Sequence, residues 1–523
     1  MNNPLTVPVP RPSAADSRRP RTAGFQPPPA LLWPAALAAL FTLLQLALVV
    51  PGSGLGWDEA VYVSQVGGNA PPAFFSAPRA RGITYLVAPV AALTASTTAI
   101  RVYLALLSGA ALFGALWAWR RTLPAPVLTA AGALFTGLWI TLFYGPRVMP
   151  NLWCAFGALA AVGCFLTAVT TRAVTTTGGS GEGTRGGTPP RVRAALAGLG
   201  ATVCAVALLR PSEGLWLALP LLAAALLVPA WRRRRAVFPV LVAAPLLGAL
   251  PWIAEAYAHY GGLAARLRRA GEIQGSLGWY WSVDDHVRAL AGRTLCRPCD
   301  VPWQHPVTAL WWFVLPVAVA AGIAAARRAG RGAPAVLATV TALSLAAPYL
   351  FTVGYAAPRF LLPAYALLAL PAAEALIALV RKVVRARRPA ALGLLTGLLL
   401  GHLAVQYTVL AGAVAHSRSA RAHFTSIASA LHGAGVRPPC LVSGKEYVPV
   451  GYYTGCTSRA VGGHDAAITP GGITAAARRM PVAVLVPAGA APPAHARGWR
   501  PVRLPAGPGW DRYDAYVSPG AGR

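Results

Sequence analysis

Gly56-Trp57-Asp58-Glu59-Ala60-Val61-Tyr62 sets two carboxylates side by side, a few residues beyond the first long apolar run, Leu31–Val50. The chain holds 15 acidic residues in 523, so this pairing is a marked feature. Charge near hydrocarbon is costly and tends to mark function. If Leu31–Val50 enters from the cytoplasm, the pair lies outside, close to the lipid headgroups. A base in that position is placed to act on a lipid-borne substrate. A second reading makes the two acids the N-terminal cap of a juxtamembrane helix, where Asp is favoured. The two readings are compatible.

Outward from this triplet the chain is apolar. It is 56% hydrophobic and 12% charged, with mean hydropathy +0.53. Soluble domains carry about 25% charged residues. The apolar runs repeat to near residue 410, and each is long enough as a helix to cross a hydrocarbon layer of about 30 Å. The first run lies too deep, behind too long a tail, for a cleaved signal peptide. The net charge of +31 does not indicate nucleic acid as a partner, because it is parcelled out between apolar runs. It follows instead the excess of basic residues in cytoplasmic loops. Arginine carries it, since Lys382 and Lys445 are the only lysines.

About eleven transmembrane helices are expected, over 31–50, 100–119, 124–144, 152–170, 194–209, 214–231, 236–257, 308–326, 333–353, 361–380 and 391–410. Alternate connections are basic: Arg120 and Arg121; Arg172, Arg185, Arg191 and Arg193; Arg232 to Arg235; Arg327, Arg328 and Arg331; and Arg381 to Arg388. With the arginines of the tail they fall on one side. That predicts a plasma-membrane protein with the N-terminus in the cytoplasm and the C-terminus outside. Residues 83–98 break the parity and are expected to lie at the outer interface or to re-enter. The division is then 1–28, a disordered basic cytoplasmic tail; 29–412, the membrane domain; and 413–523, an extracytoplasmic α/β domain. In the last, Ala420–Leu431 reads as helix, Cys440–Ser443 and Val482–Val486 read as short buried strands, and Tyr513–Val517 reads as an exposed one. Cys440 and Cys456 are placed to bridge. Cys296-Arg297-Pro298-Cys299 forms a local disulfide or two free thiols. Cys154, Cys164 and Cys204 lie in spans as small packers.

The expected outside loop ends set arginine beside proline: Arg79 after Pro78, Arg147 after Pro146, Arg210 before Pro211, Arg359 after Pro358. Each can snorkel or pair locally, as Arg210 with Glu213. Together they suggest a phosphate-binding vestibule, since guanidinium forks match phosphate oxygens. In the loop 258–307, Arg266, Arg268 and Arg269 are basic. Trp279, Tyr280 and Trp281 precede Asp284, Asp285 and His286. Those aromatic and acidic residues suit sugar binding, or else an interfacial belt with a solvated acidic turn.

At these residues the chain resembles the GT-C membrane glycosyltransferases, in the branch of the protein O-mannosyltransferases and the lipid A aminoarabinose transferases. The resemblance lies in Asp58-Glu59 after Trp57, Arg147-Val148-Met149-Pro150, Arg210-Pro211-Ser212-Glu213-Gly214 and Arg359-Phe360-Leu361-Leu362-Pro363, spread over residues 31–410. It implies a sugar delivered on a polyprenyl phosphate and inversion at the anomeric carbon. Asp58 would act as base and Glu59 would orient the acceptor or tune Asp58. Arg79, Arg147, Arg210 and Arg359 would hold the donor phosphate. The acceptor is an extracytoplasmic hydroxyl on a glycan, lipid or protein. Many relatives carry an acid where Asn151 stands. Asn151 can hydrogen-bond a sugar but supplies no charge, so a metal role there is in doubt. No cofactor is called for with certainty, and dependence on a divalent metal stays open. Two other classes remain: a transporter or flippase of lipid-linked or anionic substrates, and a non-catalytic scaffold on the same fold.

Overall fold

The computed structural model describes residues 32–171, 189–276, 278–297, 299 and 302–519. The expected tail 1–28, most of the 172–193 connection and Asp300 lie outside the described residues. The helices are α1 (Leu32–Leu44, continued by a π-helical turn Gln45–Val49), α2 (Trp57–Ser64), α3 (Gly82–Ala91), α4 (Thr97–Ala118), α5 (Ala125–Thr136), α6 (Trp139–Tyr144), α7 (Pro150–Thr170), α8 (Pro190–Leu209), α9 (Pro211–Leu227), α10 (Pro229–Arg232) and α11 (Val237–His259). There follow α12 (Leu263–Ile273), α13 (Val283–Ala289), α14 (Leu310–Arg328), α15 (Gly332–Phe351), α16 (Leu362–Arg385), α17 (Pro389–Gly433), α18 (Tyr447–Thr454) and α19 (Pro470–Ala477).

Among the described residues nine helices are long and apolar enough to cross a membrane. The two remaining expected spans are interrupted. The 124–144 segment breaks at Gly137-Leu138 into α5 and α6, and the backbone N–H freed at Trp139 donates to Gln406 Oε1 of α17 at 2.9 Å. A break at membrane depth requires such a partner. The 214–231 segment ends as α9 before Pro229, which restricts the preceding residue and halts the helix. Within 83–98, α3 has 10 residues, about 15 Å, too short to cross. Gly82 opens it against α8, where a Cβ would come within 2.7 Å of the Leu208 carbonyl.

The 45 residues of α17 span about 67 Å, more than twice the hydrocarbon thickness. The expected span 391–410 and the expected helix 420–431 are therefore one rod. Between them Gly412 is the sole weak helix former, and no proline intervenes. Arg418, on the extension, donates to the carbonyls of Pro51 and Leu48 at 2.7 and 3.2 Å, tying it to the end of the first span.

Beyond α17 the chain forms β1 (Leu441–Gly444), β2 (Thr457–Ser458), β3 (Val482–Pro487), β4 (Arg500–Arg503) and β5 (Tyr513–Val517). The sheet order is β2-β1-β3-β5-β4, with β1 parallel to β2 and β3, and β5 antiparallel to β3 and β4. Val482–Val486 is buried at every position, as a central strand covered on both faces must be. Disulfides join Cys440 to Cys456 and Cys296 to Cys299. The first of these links β1 to the segment entering β2.

Candidate active site

The N-terminus of α2 settles the two carboxylates differently. Gly56 caps the helix in extended conformation, and Glu59 reaches back to accept from its N–H at 3.0 Å. This is one half of a capping box. The same carboxylate, 3% exposed, accepts from both Nη atoms of Arg101 on α4, from Arg147 Nη1 at 3.0 Å and from the Val148 N–H at 2.8 Å. Arg101 is fully buried and also donates to the carbonyls of Gly54 and of Pro146, the latter at 2.8 Å. One carboxylate thus joins the 51–56 turn, α4 and the entry to α7. Burial pushes the Glu59 carboxyl up, but Arg101 and Arg147 outweigh it and hold the group down to about 2.

Asp58, one residue earlier, points the other way. Its side chain is 37% exposed, into a cavity of about 960 Å³. Arg79 Nη2 donates to Oδ1 at 2.7 Å, and Arg359 Nη2 approaches Oδ2 at 3.4 Å. Burial raises its pKa, while the charges of Arg79 and Arg359 and the Arg79 hydrogen bond lower it further, so the net direction is down. Arg79 is fixed by Ser76 Oγ at 3.0 Å, and Arg359 by the Thr294 carbonyl at 2.8 Å.

The cavity has three walls. One is the α2 start with Tyr144, Arg147 and Arg359. A second is the α17 face Ala404, Val405, Thr408, Val409 and Gly412, apolar or small, opposite the loop Gly292–Leu295. The third is Glu446, Pro449 and Trp510 of the sheet domain. Arg147 lies on Phe143, its guanidinium carbon 3.9 Å from the ring centre, and its Nε and Nη2 have no hydrogen-bond partner among the described residues. No group of three or more His, Cys, Asp or Glu that could hold a metal ion occurs among the described residues, and both Asp58 oxygens face guanidinium. This donor set does not suit a divalent cation.

Solved structures align with most of this chain. ArnT from Cupriavidus metallidurans bound to undecaprenyl phosphate, a lipid A aminoarabinose transferase, aligns with a TM-score of 0.63 at 14% identity, covering 94% of this chain and 98% of that one. The archaeal oligosaccharyltransferase AglB from Archaeoglobus fulgidus, in complex with an inhibitory peptide and a dolichol-phosphate, aligns with a TM-score of 0.51 at 14% identity, over 87% of this chain and 69% of that one. The chain has the GT-C fold. No protein-family model and no curated protein matches its sequence.

On this GT-C frame the expected site residues divide. Asp58, Glu59, Arg147 and Arg359 border the cavity, and Arg79 stands behind Asp58. Arg210 does not line it; its Nε pairs with Glu213 Oε1 at 3.1 Å, near the rings of Tyr349 and Phe360. Asn151 is fully buried in the first turn of α7, away from the cavity wall. Nor do Trp279, Tyr280, Trp281, Asp284 or Asp285 line it. Trp279 and Trp281 are exposed and pack against Phe351 at the end of α15, the Tyr280 hydroxyl donates to nearby carbonyls, and Asp284 pairs with Arg288. These five residues thus lie apart from the Asp58 cavity, at the end of the bundle. Arg266 is consumed by the carbonyls of Ala77, Trp252 and Arg79 and by Glu255.

Sequence reading missed Arg101. Its signal was present, a lone charge inside an apolar span, which requires a partner. It also missed Arg293, His416, Glu446 and Trp510, which border the cavity from segments far apart in the chain.

Proposed function

We propose that this chain is a membrane glycosyltransferase that moves a sugar from a polyprenyl-phosphate donor to a hydroxyl acceptor outside the cell, with inversion. The observation that carries the reading is Asp58: a carboxylate open to a large cavity, with Arg359 on the same wall and an apolar α17 face running from it toward the membrane. Asp58 takes the proton of the acceptor hydroxyl as its oxygen bonds to the anomeric carbon. The bond from that carbon to the phosphate oxygen breaks, and the departing polyprenyl phosphate takes its electron pair. Arg359, with Arg147 on the same wall, stabilises the charge that grows on the phosphate. Arg79 fixes the orientation of Asp58. Glu59 holds the three segments that frame it.

The likeness to a transferase bound to undecaprenyl phosphate supports the lipid carrier. The arginine pattern supports residues 1–28 in the cytoplasm, 29–412 in the plasma membrane and 413–523 outside, the last sharing α17 with the membrane domain. The acidic residues near the span ends are paired, Glu255 with Arg81 and Arg266, Glu374 with Arg331 at 2.7 Å. That leaves little for a transport pathway to use.

The test is turnover of a polyprenyl-phosphate sugar by the purified chain in detergent. Asp58→Asn keeps shape and removes the base, so turnover should fall by about 10²–10⁴. Near-normal turnover by this variant would refute the assignment.

A further inference from the structure

The cavity wall supplied by the sheet domain has no part in the transfer just described. There α18 packs against α2, and the Tyr447 ring meets Trp57 edge-on with centroids 5.1 Å apart. This contact brings Glu446, the residue before α18, to the cavity that Asp58 faces. Its backbone is left-handed, at φ 50° and ψ 23°. Outside glycine, asparagine and aspartate that conformation is uncommon, and such outliers gather at binding and catalytic sites. The Glu446 side chain is half-buried and has no hydrogen bond or ion pair among the described residues. Burial and the nearby Asp511 push its carboxyl up, with Lys445 opposing. His416 and Ser417 of α17 and His305, just ahead of α14, border the same space, all groups that exchange hydrogen bonds with hydroxyls.

We propose that Glu446 recognises the acceptor, and that the acceptor is the neutral, hydroxyl-rich end of a glycan. A carboxylate with both oxygens free accepts from two neighbouring ring hydroxyls at once. A phosphorylated or uronic-acid acceptor would face an unpaired negative charge, a built-in rejection. The membrane domain then supplies donor binding and the base, while the sheet domain selects what is glycosylated. This inference rests on the transfer reading above.

The experiment uses the full chain in detergent on an array of neutral, phosphorylated and uronic-acid glycans, with undecaprenyl phosphate binding measured on the same samples. The wild type should retain neutral glycans in preference to anionic ones. Glu446→Gln should weaken that retention about tenfold, the loss of one charge-assisted hydrogen bond. Undecaprenyl phosphate binding reports that the variant is folded. Preference for anionic glycans, retention of none, or equal retention by Glu446→Gln would each overturn the proposal. Failure of the wild type to bind undecaprenyl phosphate would instead count against the donor reading, and the glycan comparison would still decide the role of Glu446.

Discussion

Glu59→Gln separates framework from chemistry at two adjacent residues. The Glu59 carboxylate receives five donors, from Arg101, Arg147, Gly56 and Val148. The amide of Gln presents N–H to some of these donors and leaves the buried Arg101 without a counter-charge. The fall of the carboxyl from 4.5 to about 2 corresponds to roughly 3 kcal/mol in favour of the charged form. Removing one partner of a buried pair costs about 3–5 kcal/mol, a consistent scale. This stabilisation is fully present above pH of about 4.5 and is lost as pH falls toward 2, because the folded value is the depressed one. Thermal unfolding of the purified protein in detergent at pH 7 measures it. Glu59→Gln should lower the transition markedly, whereas Asp58→Asn, at a half-exposed carboxylate paired with Arg79 and Arg359, should lower it less and cut turnover by about 10²–10⁴. A Glu59→Gln protein that melts with the wild type but has lost turnover would refute the reasoning, and Glu59 would belong to the chemistry.

Arg359→Lys should weaken binding of a polyprenyl-phosphate ligand about tenfold, because the planar fork is lost; Arg210→Lys should leave it unchanged and act on stability, since Arg210 lies off the cavity beside Glu213. Equal effects of the two on titrated binding would place Arg210 back at the phosphate. Arg79→Gln should move the acid limb of the turnover profile to higher pH: Asp58 acts as base above its depressed pKa, and removing Arg79 leaves burial to raise that value. An acid limb that stays in place, or moves down, would sever Asp58 from it. Cys440 and Cys456, once reduced, should take a membrane-impermeant label from outside intact cells, and labelling only after permeabilisation would invert the topology.

The sequence made nine of the eleven expected spans and the Asp58-Glu59 pair legible because each is a local pattern. An apolar run of about 20 residues, arginines at alternate loops and two acids beside a Trp can be read without knowing what touches what. The strands Val482–Pro487 and Tyr513–Val517 were legible for the same reason, while the two-residue β2 was not. Failures came where a long-range contact decides the role. Trp279 and Trp281 carry the same residue types that bind sugars, but each packs one side against Phe351, some seventy residues on, away from the Asp58 cavity. The charge of Glu59 does act on Asp58, raising its pKa as an adjacent like charge should, but its ties to Arg101, Arg147 and Val148 could not be read locally. In a helix, neighbours point about 100° apart, so Asp58 is open to the cavity while Glu59, at its edge, is turned mostly into the interior.

That divergence explains why the pair is an Asp followed by a Glu. The longer side chain is the one that must reach back to its own helix cap and across to α4 and α7. The shorter one stands at the rim, close to a backbone that Glu59 has immobilised. A base must be held in register with two bound substrates, and a 1 Å error is costly. The Glu59 clamp supplies that rigidity from the interior, and the contact of Trp57 with Tyr447 supplies it from the sheet domain. Asp58 is therefore fixed from both sides by its immediate sequence neighbours. All three residues of the triplet Trp57-Asp58-Glu59 border the cavity, and in the proposed reaction Trp57 and Glu59 hold the backbone from which Asp58 takes the acceptor proton.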